Sequence, residues 1–438
     1  MKNLENNQKQ SNMQKVALTA LAGTSIEWYD FFLYGAAAAL IFPTAFFGEM
    51  PPTTALLLSL LTFAAGFIAR PIGGIIFGHF GDKVGRKKTL ISALMLMGIS
   101  STLIGLLPTY AMIGVAAPIL LTTLRFAQGL AIGGQWGGAM LLVTESAPSD
   151  QRGYYGAFAQ AGAPIGVILA NLALIITSAL VSEEFFNTWG WRIPFLASAV
   201  LILISMYIQL NLEDTDAFKA LVDNKGIQSD ENIKKSPVIE AIKKYPKRIF
   251  LAAGAFLSVQ VTFYILIAFM LAYGVTSANM ARDDMLAAVL IASAIMVPIQ
   301  FVFSSYSDRH GRKGIFMLGA VLTGIWAFAI FPLVDTGNFY LIVLAITGGL
   351  VFLAMMYGPQ AAFFTELFST EVRYSGATLG YQFGAIVGGA FAPTIAVKLW
   401  TEFDIIWVSA YIALASLLTL ISVMALTETY QSDLNNTD

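Results

Sequence analysis

Four charged side chains stand where charge is expensive. Glu27 and Asp30 lie in the stretch TSIEWYDFFLYG, residues 24–35, and Arg70 and Arg125 lie in two later apolar runs. On insertion scales an Asp, Glu or Arg at the bilayer centre costs about 2.5–3.5 kcal/mol, so such residues face a protein interior and are paired or functional. Gly23, Glu27, Asp30 and Tyr34 follow i, i+4, i+7, i+11, one stripe of a helix, and Arg125, Gln128, Ile132 and Trp136 make a similar stripe. At 1.5 Å per residue, Glu27 counted from Lys15 and Arg70 counted from Asp82 both sit roughly 18 Å from the same side. Arg125, counted from Glu145, lies deeper and nearer Asp30. Glu27 is therefore placed to meet Arg70, and Asp30 to meet Arg125. Two readings stay open. The pairs either fix the bundle, or each carboxylate exchanges its arginine for a proton or yields it to an anionic substrate. The second reading puts proton coupling on Asp30 and Glu27, and substrate contacts on Arg125, Arg70, Tyr34, Gln128 and Trp136. The later half offers neutral groups instead, Gln260, Tyr264, Gln300, Tyr357, Gln360, Tyr381 and Gln382, suited to hydroxyl, carboxylate and ring contacts.

The elements that carry these residues are membrane spans. Of the 438 residues 57% are hydrophobic and 12% charged, against about 25% charged in soluble domains, and the mean hydropathy is +0.71. Runs of the roughly 20 apolar residues that a spanning helix needs fall at 16–42, 54–80, 89–107, 113–143, 154–181, 191–210, 249–276, 284–306, 315–334, 339–363, 374–400 and 404–426. The twelve runs lack the two-residue alternation of a membrane β-barrel. Of the 25 Lys and Arg, 20 fall on the side of the amino terminus, three on the other and two inside spans. The positive-inside rule then puts both termini in the cytosol. The division expected is a tail over 1–15, a six-helix bundle over 16–210, a cytosolic loop over 211–247, a second bundle over 248–426 and a tail over 427–438. The loop's basic end suits an anionic leaflet, or the loop is a solvated tether. There are no cysteines and two histidines, His79 and His310, so neither disulfide, thiolate chemistry nor a histidine metal site is expected.

Two motifs recur in order. GDKVGRKK follows the second run and SDRHGRKG the eighth, while TESAPSDQRGYYGA is echoed by TELFSTEVRYSGAT. These pair Asp82 with Asp308, Glu145 with Glu366 and Arg152 with Arg373, six spans apart on one membrane side. This is a parallel repeat, of the kind in which transporters bind substrate between halves near the midplane. The loop GDKVGRKK, its second copy and RFAQGLAIGG resemble the signature motifs of the major facilitator superfamily. EWYDFFLYG, RPIGGIIFGHFGDKVGRK and WGWRIPF are similar to the metabolite:proton symporter family of shikimate, α-ketoglutarate and proline/betaine carriers.

The resemblance implies an all-α membrane protein with twelve helices in two six-helix bundles related by a parallel pseudo-two-fold, no cofactor, and no enzyme activity. It implies a monomer in the bacterial cytoplasmic membrane that takes a small organic acid and protons as partners, and no nucleic acid. It also implies a latch, Asp82, Arg86, Glu145, Arg152, Asp308, Arg312, Glu366 and Arg373, that holds one state and breaks in the other; as plain residues the same loops read as a topology anchor. Gly129, Gly133 and Gly137, and Gly376, Gly380, Gly384 and Gly388, recur every four residues and suit close helix approach. One departure stands out. GGQWGG places Gln135 where an acid is expected, so coupling falls to Asp30 or Glu27, or is absent. A zwitterionic osmolyte is the alternative substrate, although the chain's last residues ETYQSDLNNTD lack the heptads of an osmosensing carrier. No nucleotide loop, metal cluster or nucleophile–base set points to an enzyme.

Overall fold

The computed structural model describes residues 2–84, 86–133, 140, 143–144, 147–213, 237–369 and 373–430, and among them it is helical with no strand. In chain order the first six long helices are α1 (Lys2–Leu40), α2 (Pro52–Val84), α3 (Arg86–Leu106), α4 (Ala116–Gly133), α5 (Arg152–Leu180) and α6 (Ile193–Glu213). The next four are α7 (Pro246–Thr276), α8 (Arg282–His310), α9 (Arg312–Val334) and α10 (Phe339–Glu366). The last are α11, built of Arg373–Gly384, Ala385–Ala390 and Ala392–Glu402, and α12 (Ile406–Ala425). Ten helices among the described residues are both long and apolar enough to cross a bilayer. The other two are α1, whose hydropathy Glu27 and Asp30 lower, and α3, whose apolar part is Ile91–Leu106. Helix α1 begins at Lys2, ahead of its apolar run, and a short amphipathic helix, Pro237–Lys244, precedes α7.

Hydrocarbon offers the backbone no partners, so a span must satisfy its own amides. Some hydroxyls do likewise: Thr24 and Ser25 donate back to Ala20 O and Leu21 O at 2.8 and 2.6 Å. Helix ends are set by charge and by turn geometry. Helix α8 starts with Asp283 and Asp284 and ends with Arg309 and His310, each complementing the helix dipole. The α8–α9 turn passes through Gly311 at φ 98°, a conformation that requires glycine. That explains one glycine of the repeated loop motif.

The helix neighbours obey one rule. In the first half α1 packs on α5 and α6, α2 on α4, and α3 on α4 and α6. In the second half α7 packs on α11 and α12, α8 on α10, and α9 on α10 and α12. Each pair recurs six helices later. The halves meet through α5 on α8 and, equivalently, α11 on α2. The expected parallel pseudo-two-fold is thus present in the packing itself.

The glycine stripes make that packing possible. A Cβ on Gly129 would strike Gly66 O, and one on Gly133 would strike Arg70 O, so α4 lies with its backbone against α2. Gly380 and Gly384 bring α11 onto Ala252 and Phe256 of α7 in the same way. Overpacking of a dense interior costs about 1–3 kcal/mol even where side chains can yield, and here the obstacle is backbone. Gly133→Val is therefore expected to lower the thermal midpoint of the detergent-purified protein by several degrees. An unchanged midpoint would contradict this packing.

Candidate functional site

The buried charges lie within the first half, around Phe31. Arg70 and Arg125 are 1% and 0% exposed. The Arg70 guanidinium carbon sits 4.4 Å from the Phe31 ring centre, and that of Arg125 sits 4.2 Å from the same centre. One ring therefore touches both cations, and the negative face of its π quadrupole offsets part of the cost of burying them. Phe67 adds a second ring to Arg70 at 4.5 Å, and Tyr34 and Phe63 add rings to Arg125 at 4.3 and 4.7 Å. Arg125 Nη1 donates to Gln128 Oε1 at 3.2 Å, and Gln128 Nε2 donates to Ser101 Oγ at 2.7 Å. The Nε and Nη2 atoms of both arginines have no hydrogen-bond partner.

Asp30 faces Ser101 of α3, Ser198 of α6 and Arg125 of α4. The Ser101 and Ser198 hydroxyls are near it but not aligned as full hydrogen bonds, and no ion pair joins it to Arg125 among the described residues. The stripe placed Asp30 toward Arg125 correctly, but the two stand apart. Tyr34 shares the stripe and bonds Thr62 Oγ1 at 2.6 Å, under Arg125. Glu27 is half-buried one turn below Asp30. Because Arg70 Nε and Nη2 are unpaired, Glu27 does not close a two-pronged clamp on Arg70.

The space between the halves is lined by rings. Trp28 and Phe32 of α1 face Phe256, Phe263 and Tyr264 of α7, Tyr357 of α10 and Tyr381 of α11, with Gln260 and Leu353 at the edges. Its volume is about 10 Å³, close to the room one water needs. Arg70 stands beside Tyr264, and its charge is felt by Tyr357 and Tyr381. Arg125, Tyr34 and Gln128 are held inside the first half instead. Gln360 and Gln382 are buried, and their Oε1 atoms have no partner. Gln300 donates across the halves to Ala157 O at 3.2 Å.

The halves also touch on both sides of this space. On the side of the termini, Asp308 accepts from Gly153 N and Tyr154 N, both at 2.8 Å, so a carboxylate of α8 caps the start of α5. Further along, Gln160 Nε2 donates to Tyr357 O at 3.1 Å. On the opposite side, Ser178 pairs with Asp283 at 2.6 Å, and Arg282 with Asn187 at 3.2 Å. The halves are thus in contact on both sides of the ring-lined space.

The residues named for the second latch copy gather in one ion-pair cluster. Arg312 Nη1 lies 2.6 Å from Asp308 Oδ1, and Nη2 lies 3.1 Å from Glu366 Oε1. Arg152 stands beside Glu366 from the other half, and Arg373 donates to Thr365 O at 3.1 Å. Two partners went unread in the sequence. Thr429 donates to Glu366 Oε2 at 2.8 Å, and Glu428 accepts from Arg312 N and Lys313 N at 2.9 Å each, capping α9. Only the chain's return beneath α12 brings them there. Ser101, Ser198 and Phe31 were also missed, since a serine or a phenylalanine in an apolar run carries no signal of its partner. Gln135, Trp136 and Glu145 lie outside the described residues, as do the side chains of Asp82 and Arg86.

Comparison with known proteins decides the family. The sequence profile of the Major Facilitator Superfamily matches residues 20–379. The chain belongs to the major facilitator superfamily. It is 40% identical over 432 residues to the inner membrane metabolite transport protein YhjE of Escherichia coli K12, covering 97% of this chain and 96% of that protein. It is 37% identical to the shikimate transporter of the same organism, covering 92% of each. A crystal structure of a D-xylose–proton symporter superposes with a TM-score of 0.75 over 96% of this chain and 99% of that one. At 16% identity that likeness concerns the fold. The protein is thus a multi-pass membrane transporter and not an enzyme.

Arg312 tests the latch of this major facilitator. Removing one partner of a buried ion pair costs about 3–5 kcal/mol, because the other is left unpaired. Arg312→Gln takes from Asp308 and Glu366 the cation they share, so its thermal midpoint in detergent should fall well below that of Glu428→Ala, which loses a helix cap worth about 0.5–2 kcal/mol. Equal midpoints would show that Arg312 holds nothing.

Proposed function

We propose that this transporter moves a small organic carboxylate of the shikimate kind inward together with protons, by alternating access between its two bundles. One observation carries the reading: two buried guanidinium groups keep unpaired nitrogens, and one of them, Arg70, stands beside Tyr264 in the wall of the narrow cavity between the halves. A buried cation without a carboxylate is costly. A substrate carboxylate would supply the missing charge, and the planar fork of arginine suits it. Tyr357 and Tyr381 add hydroxyls and ring faces for a cyclic hydroxy acid. The likeness to a shikimate transporter supports that class.

Coupling falls to Asp30. It is buried, has only the loosely placed Ser101 and Ser198 hydroxyls as polar neighbours, and stands by Arg125 but apart from it. A proton neutralises it, or a small rotation brings it onto Arg125, and alternation between these two satisfied forms would link protonation to conformation. Asp308, Arg312, Glu366, Arg152 and Arg373 would hold the closed gate on the side of the termini. The distribution of Lys and Arg supports a cytosolic location for that side, in a bacterial inner membrane, with the bundles divided by the segment 211–247. A second reading, a zwitterionic osmolyte, is favoured by the ring-lined cavity, because aromatic faces attract quaternary ammonium groups.

The decisive experiment is uptake into proteoliposomes, with organic acids and betaines as competing substrates, with and without an imposed pH gradient. Asp30→Asn, which mimics the protonated form, should lose accumulation driven by the gradient while retaining counterflow. Continued accumulation by this variant would move coupling elsewhere, with Glu27 the next residue to test. A wild type indifferent to the gradient would make the protein a facilitator, in keeping with Gln135. Arg70→Gln should weaken carboxylate binding by about 2–5 kcal/mol, and Arg70→Lys should rescue little, since lysine lacks the fork. Unchanged affinity in both would reduce Arg70 to scaffold.

A further inference from the structure

We propose that Tyr264 is a resident plug of the substrate site, holding the place beside Arg70 that a carboxylate takes when it binds. The class of ligand rests on the reading above; the plug itself rests on geometry. Tyr264 belongs to α7 of the second half, yet its ring is inserted among rings of the first. It lies 5.0 Å from Phe67, 5.7 Å from Phe63 and 6.1 Å from Phe31. It is 1% exposed and forms part of the cavity wall. Arg70, stacked on Phe31 and Phe67, stands beside it with Nε and Nη2 unpaired. The remaining space, about 10 Å³, admits a water and no organic acid. A carboxylate can therefore reach Arg70 only if the Tyr264 ring leaves.

The helices around the ring are built to let it leave. Tyr264 is followed at once by a π-helical segment, Ile265–Phe269. Helix α11 carries a second, Ala385–Ala390. The two lie against the same ring: a Cβ on Gly389, in the second segment, would come within 2.9 Å of Tyr264 Cε2 and 3.0 Å of Phe67 Cε1. A π-helical turn holds an extra residue in its hydrogen-bond ring and is found at functional sites. Returning the turn after Tyr264 to α-helix would rotate the ring out of the box without breaking α7. In the empty carrier the ring covers both cations' shared aromatic box. In the loaded carrier the substrate would take its place, and the second half would be free to shift against the first.

The chain has no cysteine, so Val259→Cys, on the cavity wall, is a single reporter for N-ethylmaleimide in the full-length protein. Removing the plug should speed labelling of this reporter without any substrate. Tyr264→Ala should raise the rate about tenfold, and Tyr264→Phe, which keeps the ring and loses the hydroxyl beside Arg70, should raise it by a smaller factor. The Phe variant preserves packing and carries the test if the Ala variant does not fold. Shikimate affinity, measured by calorimetry, gives the second readout. A displaced plug competes with ligand, so Tyr264→Phe should bind shikimate more tightly, by up to about tenfold. An ordinary ligand contact would make binding weaker. Labelling rates within about twofold of the reporter alone, or weaker shikimate binding in Tyr264→Phe, would overturn the plug. If shikimate binds neither protein, the carboxylate reading fails, and the labelling rates alone uphold or overturn the plug.

Discussion

The structure turns on two like charges that share one ring. Arg70 and Arg125 are both buried, and Phe31 has a guanidinium within 4.4 Å on one contact and 4.2 Å on the other. A buried cation without an anion is a high-energy object. Aromatic faces offset part of that cost, and only part. The first half is thereby left short of negative charge near its centre, with a carboxylate, Asp30, held close and not engaged. Such a cluster is poised. A proton, a small shift of Asp30 or an incoming anion each lowers its energy, and each does so in a different arrangement.

That poise requires a scaffold that does not relax around it. The backbone contacts of α4 on α2, through Gly129 and Gly133, set Arg70 and Arg125 on two helices that cannot move apart freely. The equivalent glycines of α11 bring that helix onto α7. Between these rigid pairs the halves meet along α5 and α8 through a ladder of few polar contacts, from Asp308 at one end to Asp283 at the other. Dense packing within each half and sparse polar contacts between the halves are what a rocking movement needs.

The two halves share a fold and divide the chemistry. Charge is concentrated in the first, in Asp30, Arg70 and Arg125, while the second presents hydroxyls, amides and rings. The terminal side is reinforced where the second half has its buried ion-pair cluster, with Arg312 between Asp308 and Glu366 and the segment after α12 folded back on it through Glu428 and Thr429. This segment adds a cap to α9 and a hydrogen bond to Glu366, so the chain after α12 supports the ion-pair cluster.

Much of this was legible from the chain alone. The runs of apolar residues determined that the protein is a bundle of spans, the repeat of Asp82 and Glu145 as Asp308 and Glu366 determined its two halves, and the cost of buried charge singled out Asp30, Arg70 and Arg125. These are properties of composition and of position along a helix axis, which a 3.6-residue period exposes. Tertiary structure decided what each helix face meets. It turned the Asp30–Tyr34 stripe into the first half, while Trp28 and Phe32, on the next face of the same helix, line the cavity. It set Asp30 apart from Arg125, gave Tyr34 to Thr62, and put Phe31 between the arginines. It brought Tyr264 across the interface and Glu428 back to α9. Periodicity gives the spacing of side chains around an axis, but the rotation of that axis is set by neighbours far away in sequence, through packing that no local pattern encodes.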